Sequence, residues 1–131
     1  MSHYLLSTYT VEGGTPGAPG TPEEMQEFMT RVIALEAEMD ATGVFVFGGA
    51  LQGPDNAIVI RTVDGATLST DGPFVEASAH IAGFYIINAD DRDAALAWAA
   101  KVADATQHPI EIRPFFATGR VADQMKNMPG A

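Results

Sequence analysis

Apolar residues recur along this chain with two periods, close to two and close to three and a half. Residues 4–11 (Tyr-Leu-Leu-Ser-Thr-Tyr-Thr-Val) are rich in β-branched and aromatic types and predict a first strand. Residues 12–20 hold four glycines and two prolines and predict a loop. At Thr21-Pro22-Glu23-Glu24 a helix should begin. Thr21 can cap it, Pro22 suits the first turn, Glu24 can close a capping box, and both acids oppose the helix dipole. Met25, Phe28, Met29, Val32, Leu35 and Met39 follow at helical spacing, a stripe expected to pack on a sheet, with a partner groove as the alternative. Gly43 is placed to end the helix in a left-handed cap.

The period then changes. Gly43 to Gly48 is a continuous apolar run and predicts a buried strand, while Gly48-Gly49-Ala50 leaves little side-chain bulk and suggests a bulge or a close approach. Gly53 to Asn56 is a turn and Ala57 to Val63 a strand. Asp64-Gly65 is the strongest hairpin signal in the chain, and Ala66 to Thr70 returns as the second arm. A strand is expected from Gly83 to Asn88. Asp90 is expected to cap a second helix with Ala95, Trp98, Ala99 and Val102 on its apolar face. Gln107 to Phe116 reads as the last strand, Ile110 and Ile112 on one side, Glu111, Arg113 and Phe115 on the other. Residues 117–131 have no convincing period, leaving a mobile tail or one laid across a neighbouring molecule.

The order β, α, β, hairpin, β, α, β predicts an α+β fold, a ferredoxin-like split βαβ with an inserted hairpin, over residues 1–116, with 117–131 as a C-terminal tail. Two helices cover one sheet face. The other, expected to carry Tyr85, Ile87 and Phe115, needs cover, and a second copy of the same sheet is the simplest one, hence a homodimer.

Composition narrows the partners. Net charge is −10 from 17 acids and 7 bases, and the bases are scattered singly. Nucleic acid requires clustered Lys and Arg, so neither it nor an anionic membrane is an expected partner. There is no cysteine, which excludes thiol nucleophiles and thiolate metal sites. The histidines His3, His80 and His108 have no ligand spacing, so no metal is expected. The glycines of residues 13–20 lack a phosphate-loop context, and Ser69, Thr70 and Ser78 lack a nucleophile elbow. The N-terminus has no signal-peptide pattern and no apolar run approaches membrane-spanning length, which together point to the cytoplasm.

Chemistry concentrates around Thr70 to Glu76, a turn-prone loop with two carboxylates leading toward an apolar strand. Asp71 could orient a base or bind a polar ligand, or simply fix the turn through a side-chain bond to backbone. Glu76 could share a site with Asp71, where like charges raise one pKa, or be a solvated loop charge. His80 could be a general base near neutral pH or an exposed, idle side chain. Arg113, two residues from Glu111 and on the same strand face, could pair with Glu76, Asp71 or Glu111, or clamp a ligand carboxylate.

Asp71-Gly72-Pro73-Phe74 with Glu76, then Gly83-Phe84-Tyr85-Ile86-Ile87, Ala94 to Ala99 and Glu111-Ile112-Arg113-Pro114, resembles the YCII-related proteins of the DGPF subgroup. Tyr4, Leu5, Leu6 and Tyr9, Pro22 to Met25, Gly43 and Leu51 extend the resemblance over about residues 4–116. It implies a dimeric α/β barrel of ferredoxin-like subunits in a bacterial family with few defined activities. Relatives are proposed to be enzymes because a His–Asp pair lies in a cleft. Subgroup members are often encoded beside extracytoplasmic-function sigma factors, which implies a regulatory or stress-linked setting. Four positions depart from the subgroup: Ala77-Ser78 replaces a Thr-Lys pair, Ala82 replaces a glycine, and Gly49 stands where a Glu is common. His80 is a local addition.

Two functions follow. One is a small-molecule-binding dimer with cofactor-independent acid–base chemistry. Asp71, Glu76 and His80 would be catalytic, Arg113 would hold a small anionic molecule, and Phe74 and Tyr85 would line the wall. The other is a non-catalytic regulatory module whose acidic surface meets a protein partner.

Overall fold

The computed structural model describes residues 2–11, 19–75 and 77–126. Strand β1 is Ser2–Val11, helix α1 Pro22–Ala41 and strand β2 Phe45–Ala50. A short 3-10 turn at Pro54–Asn56 leads to strands β3, Ile58–Val63, and β4, Ala66–Asp71. Strand β5 is Ala79–Ala89, helix α2 Arg92–Thr106, strand β6 Ile110–Pro114, and helix α3 Val121–Lys126. The main sheet runs β2-β5-β1-β6, all antiparallel, and β3 pairs only with β4. That is the ferredoxin-like order with the hairpin set aside as its own ribbon. The sheet of one chain stays open.

The helix ends follow from local chemistry. Thr21 Oγ1 accepts from the Glu24 amide at 3.1 Å, and the Glu24 carboxylate reaches back to the Gly20 amide at 3.2 Å. Capping is thus reciprocal, although the returning bond goes one residue further out than in a standard box. At the other end Gly43 adopts φ +72°, and the Val44 and Gly43 amides donate to the Met39 and Asp40 carbonyls. Helix α2 is capped by Asp91, not Asp90: the Ala94 amide donates to Asp91 Oδ1 at 2.9 Å. Asp64 and Gly65, at φ 50° and 79°, form the hairpin turn that this dipeptide favours.

Strand registry fixes the two faces. Gly48, Tyr85, Leu6 and Ile112 form one row across the sheet, and Phe45, Ile87, Tyr4 and Pro114 the next. Leu6, Ile87 and Met39 are fully buried, and Leu35, Ala95, Ala99 and Val102 complete the core beneath the helices. Tyr85 and Ile87 therefore face the helices. The expectation that they lie on the open face is corrected: that face carries Phe47, Ile86, Leu5 and Arg113, then Gly49, Phe84, Ser7 and Glu111. Both parities of β5 are apolar, so alternation alone did not choose between them.

One further expectation changes. The run Val44 to Gly48 is not a buried strand, because β2 is a sheet edge and Phe47 is 58% exposed. The segment after β6 turns back over its own sheet. The Phe115 amide donates to the His3 carbonyl at 3.0 Å, Thr118 Oγ1 lies 3.1 Å from His3 Nδ1, and α3 follows. On α1, Leu35 and Met39 pack on the sheet as expected, whereas Met25 and Met29 are exposed. No helix among the described residues is long and apolar enough to cross a membrane.

Candidate functional site

A cleft of about 320 Å³ opens between α1 and the β2 side of the sheet. Its making starts with glycine. A Cβ on Gly48 would sit 2.7 Å from Tyr85 Cδ1, so only glycine lets that ring lie flat against β2. A Cβ on Gly83 would sit 2.8 Å from the Gly49 carbonyl, so the two strands approach closely here. With side chains missing on this patch, space remains above it, roofed by Phe28 and Val32 of α1 and walled by Phe45. Phe45 meets the Tyr85 ring edge-on at 6.2 Å.

Into this apolar space come a few polar groups. Tyr85 donates its phenolic proton to Glu36 Oε2 at 2.5 Å. Burial pushes the Tyr85 pKa well above its ordinary value, and the hydrogen bond to Glu36 and that carboxylate's charge push it further the same way. The phenol therefore stays protonated and keeps Glu36 as its acceptor. His108, beside the Phe28 ring at 6.2 Å, has its pKa lowered by burial. It is neutral at pH 7. Thr106 donates to the Val102 carbonyl at 2.8 Å, which closes the last turn of α2 next to the cleft. A small, mostly apolar pocket with few convergent polar groups is the usual form of a ligand site.

A second cleft of about 420 Å³ lies at the foot of the hairpin, lined by Asp55, Gly72, Pro73, Ser78 and His80 among others. Gly72 binds this loop to the turn before β3. Its amide donates to the Ala57 carbonyl at 2.8 Å, and a Cβ there would meet Ala57 Cβ at 2.8 Å. His80 and Asp55 share the cleft without forming an ion pair.

A family model for the YCII-related domain matches residues 2–117. The chain belongs to the YCII-related family. No curated protein matches it. Across this YCII-related chain, the described residues singled out from sequence are spread over both faces of the sheet and the hairpin. Asp71 ends β4, is exposed, and its side chain has no hydrogen-bond or ion-pair partner among the described residues. Phe74, 68% exposed, lies under the Arg61 guanidinium at 4.9 Å. Glu76 lies outside the described residues. His80 is half-buried and pairs with Thr10 near one end of β1, while Arg113 pairs with Leu5. That separation along β1 is roughly 17 Å. Arg113 is exposed on the open face and has no ion pair with Asp71 or Glu111. Tyr85 lines the α1 cleft, on the opposite sheet face from Arg113.

Three residues of the α1 cleft are not among the site residues expected from sequence: Glu36, His108, expected only to lack ligand spacing, and Phe28, expected only as part of the α1 stripe. Glu36 interrupts the apolar stripe of α1 one position after Leu35 and could have been found there, as a carboxylate on the flank of a buried helix face. His108 carried no such mark. Among the described residues no group of His, Asp and Glu is arranged to hold a metal ion.

Proposed function

We propose that this YCII-related protein binds a small organic molecule in the cleft between α1 and the sheet. Glu36 and Tyr85 form the polar end of the site, and Phe28, Val32 and Phe45 form its apolar body. The observation that carries the reading is the Tyr85–Glu36 hydrogen bond set into the wall of an otherwise apolar cleft. A carboxylate that keeps one acceptor oxygen toward such a space can accept a ligand N–H or O–H, and proton transfer to Glu36 is the reaction class it supports. The hairpin-foot cleft with His80 is more exposed and lacks a fixed pair of this kind.

The test is a fragment screen read by amide shifts in a two-dimensional NMR spectrum. Binders are expected to move the amides of Phe28, Val32, Glu36, Tyr85 and His108 together. Shifts confined to Asp55, Ser78 and His80 would move the site to the hairpin foot and overturn this reading.

A second reading concerns assembly, and the exposed apolar surface supports it. Phe47 on edge strand β2, and Ile58 (67% exposed) and Ile60 (61%) on the hairpin, stand in water in a single chain. An isolated two-stranded ribbon is marginal alone and an apolar edge strand invites pairing. A homodimer formed through the open face would cover the row Phe47, Ile86 and Leu5 and set Arg113 near Glu111 of the other copy. Light scattering at micromolar concentration should give twice the monomer mass, and Phe47→Asp should return it to monomer. A wild-type monomer would end the dimer reading.

A further inference from the structure

The charge inventory of the α1 cleft selects among ligands. Among the described residues Glu36 is the carboxylate in its lining, and neither Lys nor Arg lines it. Arg31 does not line the cleft: its Nε donates to the Ala105 carbonyl at 3.1 Å, and its guanidinium lies 5.9 Å from the ring centre of the roof residue Phe28. His108 faces the cleft as a neutral ring. The hydroxyl proton of Thr106 is used within α2, and the phenolic proton of Tyr85 is held by Glu36. The cleft thus offers an acceptor and aromatic faces, with few donors. An anion entering it would meet Glu36 with no cation to offset the repulsion, and the net charge of −10 adds to the barrier. A cation would meet a carboxylate at one end and the rings of Phe28, Phe45 and Tyr85 around it, the surroundings that favour an ammonium group. At about 320 Å³ the space lies at the small end of ligand sites.

Resting on the site proposed above, we infer that its occupant is a small protonated amine with an apolar body of about one ring. The ammonium donates to Glu36, and the body lies between Phe28, Val32 and Phe45. The small anionic molecule expected from the sequence depended on Arg113, which lies on the other face of the sheet.

Three probes of one shape test this on the full chain at pH 7: 2-phenylethylamine, 2-phenylethanol and phenylacetate, titrated by NMR and calorimetry. The amine should bind at least tenfold tighter than the alcohol, and phenylacetate weakest. Glu36→Gln should reduce amine affinity at least tenfold and remove the preference for amine over alcohol, with an unchanged cooperative melting transition reporting that the chain remains folded. Equal binding of amine and alcohol to wild type, or tighter binding of phenylacetate, would overturn the amine assignment while leaving the site standing. No binding by any probe, or binding that a cavity-filling Val32→Trp variant leaves unchanged, would overturn the site and the assignment together.

Discussion

Tyr85 has the environment of a side chain held for its proton. It is buried against Gly48, edge-on to Phe45, and donates to Glu36. Its raised pKa has a consequence for stability. Below the ordinary tyrosine value of about 10 the folded and unfolded chains are both protonated at this group. Above it the unfolded chain loses the proton first, so stability falls as pH rises toward the higher folded value. Tyr85→Phe should remove that component of the alkaline decline, read as melting temperature between about pH 9 and 11. His108 works at the other end with the opposite sign. Its folded pKa is lowered, so acidification protonates the unfolded chain first and stability is lost as pH falls below about 6.5. His108→Gln should flatten that part of the acid limb. Gly48→Ala should cost about 1–3 kcal/mol, because its methyl would overlap the Tyr85 ring and the strand must shift to admit it. Chemical denaturation measures this directly, and an unchanged midpoint would show that the ring moves freely.

At the scale of elements, the terminal signals carried far. Thr21 with Glu24, Gly43, and Asp64-Gly65 each specify a local geometry with few alternatives, and each appears where its chemistry requires it. Thr21→Ala should lower stability by about 1 kcal/mol through loss of its bond to the Glu24 amide. Faces and edges were less legible. In β5 the residues Phe84, Tyr85, Ile86 and Ile87 are apolar at both parities, and only pairing with Tyr4 and Leu6 of β1 decides which pair is buried. Val44 to Gly48 reads as interior because a strand covered on both sides and an apolar strand at an exposed edge share a composition. The candidate site suffered for the same reason. Asp71 and His80 were visible as a motif in one loop, whereas Glu36, Tyr85 and His108 come from α1, β5 and the residues before β6 and meet only once the chain is folded.

For the whole molecule, the ferredoxin-like order places two helices on one face and leaves the other to a short C-terminal segment and to solvent. On the readings proposed above, that division would separate two roles. The helix-covered face encloses the α1 cleft near its β2 edge, and the open face with the hairpin carries the exposed apolar side chains that a second copy would cover. Ligand binding should therefore survive loss of the dimer: Phe47→Asp is expected to lower the mass in solution while its ligand-induced shifts at Glu36 and Tyr85 persist.

The most direct measurement is a thermal-shift screen of wild type and Val32→Trp side by side, because a ligand that binds only the folded chain must raise its melting temperature. Small amines should raise the melting temperature of wild type and leave the cooperatively melting variant, whose cleft is filled by the indole, unmoved. Equal shifts in both proteins would place binding elsewhere and contradict the account.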